Sequence, residues 1–126
     1  MAGTVDFTEN TLGTVKKITV EWESGGASPP AGDGKAEATT DGVYDGKILA
    51  VYTIPGTASD QPDDNYDVEV EDSDEFDVLM GEGEDRHESN SQLVDEGLGY
   101  VASSRLTFKV SDAGRENKGT IVLWIR

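Results

Sequence analysis

Hydrophobic and polar residues alternate with a period of two over several stretches of this chain, the spacing of strands that bury one face. In "VKKITVEWE" (15–23), Ile18, Val20 and Trp22 fall on one side and Lys17, Thr19, Glu21 and Glu23 on the other. In "NYDVEVED" (65–72), Tyr66, Val68 and Val70 face inward while Asp67, Glu69 and Glu71 face outward. "RLTFKV" (105–110) repeats the pattern with Leu106, Phe108 and Val110. "VYDGKILAVYTIP" (43–55) is different: after an Asp-Gly turn signal at 45–46 its apolar run is nearly continuous, as in a strand covered on both faces, and Pro55 ends it. "FDVLM" (76–80) is expected to return across an "SDE" turn as the hairpin partner of 65–72, and "TIVLWIR" (120–126) to close a C-terminal hairpin with 105–110. A weaker strand is expected near Thr4–Phe7.

No window carries a helical apolar stripe, so these seven or eight strands predict an all-β fold: one β-sandwich domain over 1–126, with Greek-key or jelly-roll connections. Two stretches fall outside the strands. "SGGASPPAGDG" (24–34) is a Gly/Pro-rich loop, or an arm that orders on a neighbouring subunit, and residues 81–104 are expected to be irregular. If Ile121, Leu123 and Ile125 face inward, Val122 and Trp124 face outward, which leaves Trp124 to solvent, a further layer or another subunit.

Composition then narrows function. The 126 residues hold 26 acids against 10 bases, a formal charge of −16, which opposes nonspecific binding to nucleic acid. The acids spread over most segments, which favours a chain that works in high salt over one matched to a single basic partner. With no cysteine there is no disulfide or thiolate metal site. The first residues lack the basic and apolar regions of a signal peptide, and no apolar run reaches the ~20 residues that span a bilayer, so no membrane association is expected.

The acidic run tempts a catalytic reading. A glycosidase pair needs one carboxyl raised by an apolar pocket, whereas these acids lie on strand exteriors and in glycine loops. His87 is the single histidine, beside Ser89, Ser91 and Asp85 in sequence, and reads as a surface residue flanked by Glu84, Asp85 and Glu88. Asp72, Asp74 and Asp77 are the candidate cation ligands, for Ca, Mg or Na, although the spacing after Asp72 is not that of an EF-hand loop. The expectation is therefore a non-enzymatic chain without a cofactor, with its acids serving chiefly water and salt.

"DNYDVEVEDSDEFDVL" and "LTFKVSDAGRENKGTIVLWIR" resemble small proteins encoded among the virion genes of tailed phages. The shared features are Asp64 to Asp67, Asp77 to Leu79, Leu106 to Phe108, Val110 to Gly114 and Gly119 to Arg126, with "VKKITVEW" and "ILAVYTIPGTA" extending the likeness over most of the chain. The sequence departs at Met80, where the family pattern has a second turn glycine, and at "DSDE", where an Asp-Gly turn is usual. The resemblance implies a virion component: a decoration or cement protein in many copies on the major capsid protein shell of a tailed virus, from a halophilic archaeal host. Such a chain is assembled in the host cytoplasm and resides on the capsid surface. Its expected interface residues are Val5 and Phe7, through strand-edge pairing by the N-terminal segment, together with Trp124 and Arg126. The alternatives are a head–tail connector or tail component and, in another class, a carbohydrate-binding module.

Overall fold

The computed structural model describes residues 3–26 and 34–126. Among these residues nine strands form two antiparallel sheets: β1 (Thr4–Asn10), β2 (Lys16–Glu23), β3 (Ala36–Thr39), β4 (Tyr44–Pro55), β5 (Asp67–Glu71), β6 (Gln92–Val94), β7 (Tyr100–Ser104), β8 (Thr107–Ser111) and β9 (Lys118–Ile125). The larger sheet has the order β1-β2-β9-β4-β6, with β7 also paired to β4, and the smaller has the order β3-β8-β5. Most of the Gly/Pro-rich stretch read as a loop or arm lies outside the described residues.

The inner faces are the ones the alternation marks. Ile18, Val20, Ile121, Leu123 and Ile125 of the larger sheet are fully buried, as are Val68, Val70 and Phe108 of the smaller. Each such side chain is worth about 1.5–3 kcal/mol when removed from water. Two aromatic contacts join the layers: Phe7 meets Phe108 edge-on at 5.6 Å, and Trp22 lies tilted against Tyr66 at 5.6 Å. Burial pushes the Tyr66 phenol up to about 12, with Thr53 and Arg86 pulling the other way.

Long-range pairing corrects several local expectations. β8 and β9 do not form a hairpin: β8 pairs β3 and β5 in one sheet, β9 pairs β2 and β4 in the other, and the chain crosses the sandwich between them. Residues 76–86 do run back along β5, but as an irregular strap. It closes single bridges at Glu71–Asp77 and Tyr66–Arg86 and donates Val78 N–H to the Val70 carbonyl (2.7 Å). The strap covers what would otherwise be an open sheet edge, and it buries Val78 and Leu79 completely. Residues 81–104 are not wholly irregular, since β6 and β7 lie end to end along β4. Both are short and lack a clean alternation, so period alone does not reveal them.

β4 is buried on one face only. Ile48, Val51 and Thr53 are inside, whereas Leu49, Ala50, Tyr52 and Ile54 stay half-covered, since among the described residues no third layer packs there. The Asp-Gly pair at 45–46 makes no hairpin turn. It sits at an irregularity within β4, and Gly46 (φ 128°) lets the β9 end approach so closely that a Cβ would stand 2.3 Å from the Arg126 carbonyl oxygen.

The two departures from the resembled pattern coincide with left-handed backbone. Glu75 (φ 63°) closes the 72–75 turn and Met80 (φ 52°) precedes Gly81 in the strap. A left-handed residue with a Cβ costs about 1–2 kcal/mol relative to the right-handed form, a strain that glycine lacks. Met80 is 57% exposed, so its side chain contributes little packing in exchange. Met80→Gly is expected to raise unfolding stability by about 1 kcal/mol, seen as a higher urea midpoint with an unchanged slope. A lower midpoint contradicts the left-handed assignment.

Candidate functional site: the faces and turns that carry the acids

The carboxylates at the turns are occupied by backbone amides. Asp72 Oδ1 accepts the N–H groups of Asp74 (2.9 Å) and Phe76 (3.0 Å), which closes the turn after β5. Asp77 Oδ1 accepts from Val70 (3.2 Å) and Leu79 (3.0 Å), and its Oδ2 from Gly81 (2.9 Å), pinning the strap to β5. These two carboxylates organise the turn and the strap respectively, and Asp74 is exposed. Among the described residues no group of three or more His, Cys, Asp or Glu side chains is arranged to hold a metal ion.

His87 is half-buried and also serves a turn: its Nδ1 accepts the N–H groups of Ser89 and Asn90, both at 3.0 Å. Ser89 Oγ also lies 3.4 Å from this nitrogen, so the contacts of Nδ1 are all to the ring's own turn. Glu9, on the inward side of β1, clasps the loop before β4. It accepts from the Asp41 and Gly42 N–H groups and from the Tyr44 hydroxyl. Burial, then the bond to Glu9 and its charge, raises the Tyr44 phenol well above its ordinary value.

On the outer face of the smaller sheet, β5 carries Glu69 and Glu71 beside Lys109 of β8, with Glu37 on the far side. Lys109 Nζ bonds Glu71 Oε1 at 2.9 Å, and this bond raises the Lys109 pKa. Glu69 is also raised, first by partial burial and then by its hydrogen bond to Glu71 and the charges of Asp77 and Glu71, against the pull of Lys109. A similar pair lies at the strand ends, where a hydrogen bond to Asp67 raises exposed Asp112. Both are carboxyl pairs on open sheet surface, with no apolar pocket beside them.

The remaining face is the outer surface of the larger sheet. Across its centre run Thr19 of β2, Val122 of β9, Tyr52 of β4 and Leu93 of β6, side by side in register. The next rung holds Lys17, Trp124 and Ala50. Val122 is 7% exposed, Trp124 half-buried and Leu93 58% exposed, so a band of apolar and aromatic side chains lies on a face that no other layer of the described residues covers.

The expected interface residues divide between core and surface. Val5 and Phe7 are half-buried and pack against the core, so an interface through β1 would fall to its free backbone edge rather than to these side chains. Trp124 takes the outward parity, and exposed Arg126 follows it, exchanging backbone hydrogen bonds with Lys47. Tyr52 and Leu93 were missed as members of this band. The continuous apolar run of 43–55 hid the parity of Tyr52, and Leu93 joins only through a three-residue strand.

No protein-family model matches this chain, and no curated protein and no solved structure matches it.

The Glu69 shift sets a pH test. A carboxyl raised in the fold favours the protonated form, so its stabilising contribution is full below the ordinary value of 4.5 and is lost as pH rises through the folded value. Glu69→Gln is expected to be more stable than the parent at neutral pH in dilute salt. The advantage should shrink below pH 4.5 and in molar salt, as followed by thermal melts. An advantage that persists at acid pH contradicts the charge account.

Proposed function

We propose that this chain is a non-enzymatic decoration or cement protein, docking in many copies on the major capsid protein shell of a tailed virus. The observation that carries this reading is the uncovered Val122–Trp124–Tyr52–Leu93 band on the outer face of the larger sheet. Docking surfaces concentrate aromatic anchors in a patch that a partner can dry. The resemblance of "DNYDVEVEDSDEFDVL" and the C-terminal run to virion proteins supplies the class of partner. β1, at the edge of the larger sheet, offers a second attachment mode by strand addition. Small contact energies repeated over many copies stabilise a shell that no single contact would hold. The acidic outer face of the smaller sheet then points to solvent, where carboxylates keep particles apart and hydrated in the high salt of a halophilic host.

The reading predicts that the protein co-purifies with capsids at hundreds of copies per particle, counted by quantitative mass spectrometry of purified virions. A count near a dozen marks a head–tail connector ring instead. Binding of the isolated chain to glycans, lost in Trp124→Ala, marks a carbohydrate-binding module.

A further inference from the structure

The outer face of the larger sheet is electrically polarised along its strands. At one end stand Lys17, Lys47 and Arg126, with Trp124 and the 70%-exposed Tyr100 between and beside them. Lys17 pairs in register with Trp124, Lys47 pairs with Tyr100, and Lys47 exchanges backbone bonds with Arg126. Exposed Leu12 and Val15 extend the same end in the turn from β1 to β2. None of the three cations forms an ion pair among the described residues. The acid that begins β4, Asp45, is held by the Ser103 N–H and hydroxyl.

At the other end the same face opens into a groove of about 480 Å³. Its charged lining is Asp6, Glu21, Glu23 and Asp60 against a single Lys118. Trp22 also lines it, 2% exposed, with an indole N–H that has no acceptor. Gly119 opens this side of the groove: a Cβ there would stand 2.9 Å from that indole nitrogen.

The two ends cannot neutralise one another within one chain. Lys17 and Glu23 are six residues apart on β2, about 20 Å along an extended strand, while screening at physiological salt acts over about 8 Å. In a chain of net charge −16, a cluster of cations that form no ion pair among the described residues, beside exposed Tyr100, is a local departure that favours an acidic partner. The groove at the far end of this same face supplies that partner in shape and sign.

We infer that copies of this chain dock head to tail, the Lys17–Lys47–Arg126 end with Tyr100 of one copy seating in the Asp6–Glu21–Glu23–Asp60 groove of the next. Docked end to end the contact is heterologous, so repeating it gives a ring or a string of subunits; two faces turned antiparallel would instead close as a two-fold dimer. It rests on reading this face as a docking surface, and it names the neighbour at its two ends as the chain itself. On a shell, such contacts link adjacent decoration subunits laterally while the central apolar band meets the capsid protein. Molar salt removes the charge contribution and leaves the aromatic one, so the contact weakens with salt without vanishing.

The test is sedimentation velocity of the full chain in dilute salt over a range of concentrations. The parent is expected to associate beyond a dimer. Lys17→Glu with Lys47→Glu, and separately Glu21→Lys with Glu23→Lys, should each weaken association by about tenfold or more, the effect of two surface ion pairs of typical strength. Mixing the two variants should restore assembly, because each reversed end meets a reversed groove. A parent that stays monomeric or stops at a dimer at all concentrations overturns the inference, as does either variant associating like the parent. A monomer that still coats purified capsids overturns only the self-docking and leaves the cement reading standing. A parent that assembles but does not bind capsids sinks the cement reading and keeps the head-to-tail contact.

Discussion

The contact between the inner faces of the two sheets is the constraint on which the rest of this molecule depends. With only 35% hydrophobic residues and a charge of −16, the chain has one economical way to fold. It places β-branched and aromatic side chains on alternate positions and sends nearly every carboxylate the other way. Ile18, Val20, Ile121, Leu123 and Ile125 meet Val68, Val70 and Phe108 with no charged group among them. β9 is central to this arrangement, paired by β2 on one side and β4 on the other, so its three inward residues are covered from every direction. Where acids do turn toward the interior, as Glu9 does, they are absorbed by N–H and O–H donors.

That same constraint explains which features were legible in the sequence. A strand whose one face is buried writes its period into the chain, so β2, β5 and β8 stand out, and so does the inward set Tyr66, Val68 and Val70. Partner choice leaves no such mark. β8 and β9 are neighbours in sequence with a turn between them, the usual sign of a hairpin, yet each buries its inward face in a different sheet. The strap at 76–86 misled for a related reason: Val78 and Leu79 are consecutive and both buried, as in a strand covered on both faces, yet here the turn after Asp77 produces that burial.

The candidate site was legible in part. Parity along "TIVLWIR" places Trp124 on the outer face, and the structure agrees. Turn aspartates and metal-binding aspartates share a sequence environment, so the sequence does not show that Asp72 and Asp77 accept from backbone amides of the turn and strap. The charge gradient along the larger sheet could not be read from the chain, since Lys17, Lys47 and Arg126 are brought together only by the pairing of β2, β9 and β4.

The central claim is that the outer face of the larger sheet, around Trp124, is the working surface of the protein. Fluorescence of a Trp22→Phe chain, in which Trp124 is the sole tryptophan, tests it most directly by iodide quenching of free and particle-bound protein. The account predicts efficient quenching in the free chain and strong protection once the protein is bound. Equal quenching in the two states would contradict it and move the working surface elsewhere on the molecule.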